Sequence, residues 1–478
     1  MKASQKAILL TLTLAFHRVF CPENTASMKQ LKIQRIDARQ SGFETEFEAM
    51  RARLSPSGTV VSPKGQELTK RVFGETLTPG QVVERICSDV RNEGRAALAK
   101  YSHALDGSEL PSGDFAVPAK KLQEAHAAAA PEFLATIRRI RDNILQFQKS
   151  ILHQNSSIEP APGIRLDQRY VPLHRIGVCV PGGAAAYPST VLMTVVPAQA
   201  AGVEQIAVVA PPTDFGAFNF DVLATCHELG ITEVYPIGGA QAVAAMAYGV
   251  DGLDAVDKIV GPGNLFVALA KKHVYGNVDI DSIAGPSEVV VVADSTTNAA
   301  YTAAEMLAQA EHSPGASVLV TWDDSLPDRV ERELESQLQN LSRSDLTYDS
   351  LNDFGAIILV SDATQACEVT DLIAPEHLHI ACENPREQSD RIRNAGATFL
   401  GDFSPVALGD YAAGPSHVLP TGGTARWAAG LSANSFLRSG SVIQYSKDAL
   451  SGIQAEIALL AEKEGLTAHR NSVDIRLS

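Results

Sequence analysis

The sequence predicts an α/β protein built on parallel sheets, and two observations carry that prediction. Between residues 170 and 295, the β-branched runs "IGVCV", "QIAVVA", "EVYPI", "DKIV" and "EVVVVA" alternate with stretches of helix length. Strands spaced in this way pair in parallel, with helices over both faces of the sheet. A second α/β section follows from about 296 to 430, with strands near "SVLVT", "AIILV" and "LHIAC".

The flanks read as helix. Thr78 is placed to cap and Pro79 suits a first helical position. Val82, Val83, Ile86 and Val90 then form one stripe that stops near Gly94. Ala-rich helices continue to about residue 152, and nothing in this first third looks chemical. Residues 326–341 form an acidic, polar helix with a solvated outer face. The pattern over 446–464 predicts one amphipathic helix with Leu450, Ile453, Ile457 and Leu460 on its stripe, followed after Gly465 by a short tail carrying His469.

Composition narrows the class. The 478 residues are 45% hydrophobic and 20% charged, as in a soluble globular protein of two or more domains. Lys and Arg total 40 against 55 Asp and Glu, a formal charge of −15. That balance argues against nucleic acid or an anionic membrane as the main partner, since both reward clustered positive charge. Six scattered cysteines without a CxxC pair disfavour a disulfide framework or a thiolate zinc site, and they fit a reducing, cytoplasmic setting. At the N-terminus, two lysines precede the apolar run Ala7 to Phe16, too short to span a bilayer. No small-x-small cleavage site follows, and Met28 opens a plausible second start. Residues 1–27 therefore read as a dispensable or mis-assigned leader, with a targeting peptide as the alternative.

Three glycine-rich turns, "PGGAAAYPST", "GGAQAVAA" and "GPGNLFVA", stand where a strand ends and a helix begins. Open α/β sheets bind ligands there, and free N–H groups at a helix start favour phosphate. None matches GxGxxG, so each is either a nucleotide loop or an ordinary structural turn.

Polar residues also gather in apolar settings. In "LIAPEHLHI", Glu376 and His377 adjoin, either as an acid/base pair in a water-poor cleft or as one solvated residue beside one core histidine. In "AAEMLAQAEHSPG", Gln309 and His312 share a helix face near its end, as metal ligands or as a plain polar patch. Asp410 and His417 stand in "LGDYAAGPSHVLPTGG", and Glu464 and His469 flank a glycine helix stop. Together, Gln, His, Asp and His would give the N/O ligand set of a zinc or other borderline divalent site without cysteine.

From about Met28 onward the chain resembles the histidinol dehydrogenases. The resemblance rests on "VPGG", "GGAQA", "DKIVGPGN", "AGPSEV", "AQAEH", "APEHL", "GDYAAGPSHVLPT" and "EGLTAH", in matching order and spacing. It implies a zinc- and NAD-dependent four-electron oxidation of L-histidinol to L-histidine through the aldehyde, at the end of histidine biosynthesis. It implies zinc ligands at Gln309, His312, Asp410 and His469, the last from the partner in an intertwined homodimer. Ser287, His377 and Glu464 would complete the substrate contacts, with Gln241, Asn264 and Cys179 at cofactor positions. Cys179 is a departure, since the family usually has a tyrosine before the "PGG" loop. His377 would serve as base in the alcohol step and Glu376 would activate water for the aldehyde step.

The implied fold has two Rossmann-like, incomplete doubly wound domains with small N- and C-terminal dimerisation segments. One domain is discontinuous over 76–178 and 287–431, and the NAD-binding one covers 179–286. An N-terminal segment over 28–75 and a helical tail over 432–478 flank them. The rival readings are a zinc/NAD alcohol dehydrogenase acting on another small polyol or sulfonated alcohol, and a zinc hydrolase.

Overall fold

The computed structural model describes residues 31–54, 63–183, 185–283 and 285–478, so the expected leader over 1–27 lies outside the described residues. The β-branched runs become two parallel sheets. One has five strands, in the order Glu233–Pro236, Gln205–Ala210, Arg175–Cys179, Lys258–Val260, Asp279–Ile280. Taken along the chain this is 3-2-1-4-5, a doubly wound order with its switch point between Arg175–Cys179 and Lys258–Val260. The other has six strands, in the order Gln34–Asp37, Gly355–Leu359, Gly315–Thr321, Ser287–Ala293, His377–Ile380, Ala397–Leu400. Without its N-terminal edge strand it repeats the same order, and its switch point falls between Ser287–Ala293 and His377–Ile380.

"EVVVVA", which sits in sequence among the strands of the five-stranded sheet, is the centre of the six-stranded one. The chain leaves the carboxyl edge of one sheet at Ile280 and enters the amino edge of the other at Ser287. Seven peptide steps reach no more than about 25 Å. That end of one sheet and that start of the other are thereby held close.

The helix Pro79–Glu93 forms as its sequence predicts. Thr78 and Gln81 make a reciprocal capping box, Pro79 opens the helix, and Val82, Val83, Ile86 and Val90 are buried before Gly94. Each such aliphatic chain contributes about 1.5–3 kcal/mol when removed from water. This helix packs on Gly239–Tyr248 and Leu265–Val274, while Ala119–Ala128 and Pro131–Ser150 pack on Phe220–Glu228 and Pro188–Ala201. The helical third thus covers the five-stranded sheet. Asn143 and Gln148 of the same helical third also donate to the carbonyls of Ala412 and Gly414 in the second α/β section.

A three-stranded antiparallel sheet joins Leu437–Tyr445, Ile164–Pro172 and Ser156–Ile158. Beyond it, the single helix expected over 446–464 is two, Lys447–Ser451 and Gln454–Lys463. Gly452 falls at the break, where its conformational freedom weakens helix propagation. Of the predicted stripe, Leu450 and Ile457 are half-buried while Ile453 and Leu460 are exposed. The expected short tail after Gly465 is a further helix, Thr467–Leu477.

Candidate active site

The helix Ala363–Ile373 ends at Ala374, whose φ of 52° turns the chain through the left-handed region. Pro375 follows and cannot continue a helix. Glu376 therefore emerges just ahead of the strand His377–Ile380 and His377 at its first position, in register with both Val289 and Ala397. Both are buried. The site lies at the amino ends of these strands, although open α/β sheets usually bind ligands at the carboxyl ends.

His377 is held from both sides. Its Nδ1 lies 3.2 Å from the carbonyl oxygen of Glu288 and 3.7 Å from Glu376 Oε2. Its Nε2 lies 3.5 Å from Asp410 Oδ1 and has no hydrogen-bond partner among the described residues. Burial disfavours the imidazolium, but the Glu376 and Asp410 carboxylates outweigh it and push the pKa up to about 9. The Asp410 carboxyl moves the other way. Burial raises it, yet His377, His417 and His312 together hold it below the usual carboxylate range. Burial raises Glu376, against the pull of His377.

A cavity of about 650 Å³ opens beside this group, lined by His377, Asp410 and His417 together with apolar walls such as Phe399 and Leu431. It is large enough for a small amino alcohol with its solvent. His417, given no role from sequence, places Nδ1 3.1 Å from the Asp410 backbone carbonyl. Its only prior signal was its position seven residues beyond Asp410 in one loop. His379, the other histidine of the strand His377–Ile380, instead places Nε2 3.0 Å from the Gly401 carbonyl.

Gln309 lies in the last turn of the helix Ala299–Ala310, and His312 lies just beyond it. Gln309 is 3% exposed, and its Nε2 has no hydrogen-bond partner among the described residues. A buried amide left unpaired is costly, and a half-turn would present its oxygen at the same place. An orphaned amide, an imidazole and a carboxylate fit a borderline divalent cation in donor chemistry. Among the described residues, no group of three or more His, Cys, Asp or Glu could hold a metal ion. Of the four expected ligands, His312 and Asp410 lie near enough for each to bias the other's charge. Glu464 and His469 are exposed on the C-terminal helices and do not line the cavity; one chain does not bring them to the others.

The expected cofactor residues have separate fates. Cys179 ends its strand with the thiol in the apolar core, where burial pushes it up to about 12. Alternation along the strand turns it into the apolar cluster that holds Ala207, Val209 and Met246. Asn264 caps the helix Leu265–Val274, its Oδ1 accepting the N–H groups of Phe266 and Val267. Gln241 is fully buried, its Nε2 donating to Asp106 at 2.9 Å and its Oε1 without a partner among the described residues. Asp106 comes from the helical third that looked devoid of chemistry.

The "GPGN" turn has a buried anchor of its own. Lys271 donates to the Gly261 carbonyl at 3.0 Å, and Asp281 accepts the Gly261 N–H at 2.7 Å. Lys271 and Asp281 are also paired with each other, both almost fully buried. Gly261 has φ 104° and lies so near the Cys179 carbonyl that no Cβ would fit. A lysine within "LFVALAKKHV" was the available signal.

A histidinol dehydrogenase family model matches residues 74–477. The chain is 61% identical over 453 residues to a histidinol dehydrogenase of Rhodopirellula baltica, covering 94% of this chain and 98% of the relative. It is 46% identical to one from Heliobacterium mobile, over 86% of this chain and 96% of the relative. In three dimensions it is similar to the histidinol dehydrogenase of Elizabethkingia anophelis, with a TM-score of 0.83 at 32% identity, covering 94% of this chain and 99% of the other.

Proposed function

The chain belongs to the histidinol dehydrogenase family, and from that premise we propose that it oxidises L-histidinol to L-histidine through the aldehyde, using zinc and NAD. The observation that carries this reading is the buried Glu376–His377 pair, with His377 and Asp410 on the wall of a cavity sized for such a substrate.

Gln309, His312 and Asp410 of one protomer and the partner's His469 would hold zinc, which supplies an anchor for the substrate's amine and imidazole and draws Asp410's charge from His377, while NAD supplies the hydride acceptor. The residues do the proton work. His377 Nε2 takes the hydroxyl proton while hydride leaves the same carbon, and the Glu288 carbonyl at Nδ1 holds the ring in place. Glu376 accepts a proton from the water that adds to the aldehyde, in a setting whose burial raises its affinity for that proton. Ser287 borders Glu376 at the strand start. Phe399 and Leu431 keep water few, which strengthens every charge in the site.

The glycine turns at the carboxyl edge of the five-stranded sheet, with Gln241 and Asn264, form the cofactor side. The arm over 432–478 serves a second copy. It carries exposed Ile443, Leu459, Leu460 and Ile475 with Glu464 and His469, and its helices pack mainly on one another. No helix among the described residues is long and apolar enough to cross a membrane.

NADH counted per L-histidinol consumed tests the reading. Two supports it, one indicates a different alcohol dehydrogenase, and none rejects redox chemistry on this substrate.

A further inference from the structure

The side chain of Glu288, next to Ser287, takes no part in the chemistry above, yet the residue's backbone and carboxyl both reach the acid/base pair. It is 2% exposed at the head of an otherwise apolar strand. Its N–H donates to Glu376 Oε2 at 2.9 Å, and its own Oε1 accepts the Glu376 N–H at 3.2 Å. Its carbonyl faces His377 Nδ1 at 3.2 Å. The same Oε1 accepts the N–H of Gly422 at 3.1 Å, which ties in the turn after "VLPT".

Ladder pairing does not account for this clasp. Register with the central strand begins at His377, so Glu376 stands one residue ahead of the sheet, and its N–H takes a side-chain acceptor instead. Glu288 does not line the 650 Å³ cavity. It borders a separate one of about 230 Å³ with Glu48, Arg51 and Gly422, away from any substrate in the larger.

We propose that Glu288 is a positioning residue for the reaction: its side chain locks the peptide carrying Glu376 and His377 to the central strand and to the Gly422 turn, and so sets where both reactive groups point. This rests on the reading of Glu376 and His377 as the acid/base pair. Burial, with the Glu376 charge adding to it, pushes the Glu288 carboxyl up to about 8, so near neutral pH it is largely uncharged. What the site needs from it is an oxygen in the right place. Glutamine provides one. Aspartate keeps the carboxyl but withdraws it by about one bond, ~1.5 Å.

The test compares Glu288→Gln, Glu288→Asp and Glu288→Ala with Glu376→Gln and His377→Asn, reading kcat, KM for L-histidinol and Tm on the full chain. A misplacement of ~1 Å can lower turnover about 100-fold. Glu288→Gln is expected within about threefold of the parent kcat, and Glu288→Asp down at least about tenfold with KM nearly unchanged. Glu288→Ala leaves two N–H donors without an acceptor; if it does not fold, the Gln and Asp variants decide. Parental kcat in Glu288→Asp, with only Tm lowered, overturns the proposal and makes the residue structural. A Glu288→Gln variant as slow as Glu288→Asp also overturns it, since the charge or proton would then matter. Parental activity in both Glu376→Gln and His377→Asn removes the acid/base reading itself, a failure separate from loss confined to the Glu288 series.

Discussion

His377 Nε2 stands 3.5 Å from Asp410 Oδ1, beyond hydrogen-bond contact, and has no other partner among the described residues. An imidazole nitrogen so placed is held near a carboxylate without being consumed by it. The same Asp410 is a candidate metal ligand, so the two sites share one carboxylate and each sets the other's charge.

The two half-reactions should separate at Glu376. Glu376→Gln is expected to retain much of the alcohol-to-aldehyde step while the aldehyde step falls about 100-fold or more, the usual worth of a positioned base. Single-turnover assays begun from L-histidinol and from the aldehyde measure each step. Equal loss in both would count against water activation by this residue.

Asp410→Asn should release the metal. Outer-sphere partners alone alter metal affinity about 10–100-fold, so loss of a ligand should exceed about 100-fold. Zinc per subunit after dialysis is the readout, beside activity before and after chelation and zinc return. An active parent enzyme free of metal would end the zinc assignment.

If the partner's His469 completes each site, two inactive variants should rescue each other. Mixed and reassociated His469→Ala and Asp410→Ala chains are expected to recover up to roughly a quarter of the sites, because half of random dimers are mixed and each holds one intact site. No recovery, with exchange verified by tagged subunits, would place His469 in its own chain's site.

Lys271→Met should destabilise the five-stranded sheet by about 3–5 kcal/mol, since it leaves Asp281 charged and unpaired in the interior. Replacing both residues with apolar ones should recover part of that loss, as denaturant midpoints can show. NAD affinity, read by calorimetry, is expected to fall with Lys271→Met because Gly261 loses its anchor. Unchanged affinity would separate the pair from the cofactor turn.

Acid sensitivity has a local source at Glu228. Arg138 holds its carboxyl down to about 2 against burial, with His126 helping, from an ordinary value of 4.5. A lowered folded-state pKa means the contribution is complete above about 4.5 and is lost as pH falls toward 2. Over that window the urea midpoint of Glu228→Gln should fall less steeply than the parent's. Parallel curves would show that the cluster joining Ala119–Ala128, Pro131–Ser150 and Phe220–Glu228 draws no net stability from this charge.

Much of this was legible because it is local. Thr78, Pro79 and Gly94 mark a helix by capping and backbone chemistry that involve near neighbours only, and β-branched runs mark strands by their own packing preference. The Gln309–His312 and Glu376–His377 pairs were visible as polar residues where apolar ones were expected. Other features were not: the face that Cys179 takes depends on its strand's place in the sheet, and the predicted helix over 446–464 divided at Gly452.

By itself the sequence determined the α/β class, the alternation of strands and helices, and a short inventory of reactive residues, since each follows from neighbours along the chain. Only the tertiary structure decided that "EVVVVA" joins the second sheet and that Glu288 grips Glu376 from 88 residues away. It also decided that Asp106 meets Gln241 and that one chain leaves His469 outside its own cavity. Such contacts depend on strand order and on which face a side chain takes. Those are settled by burial of the whole apolar surface at once, and no local spacing encodes them.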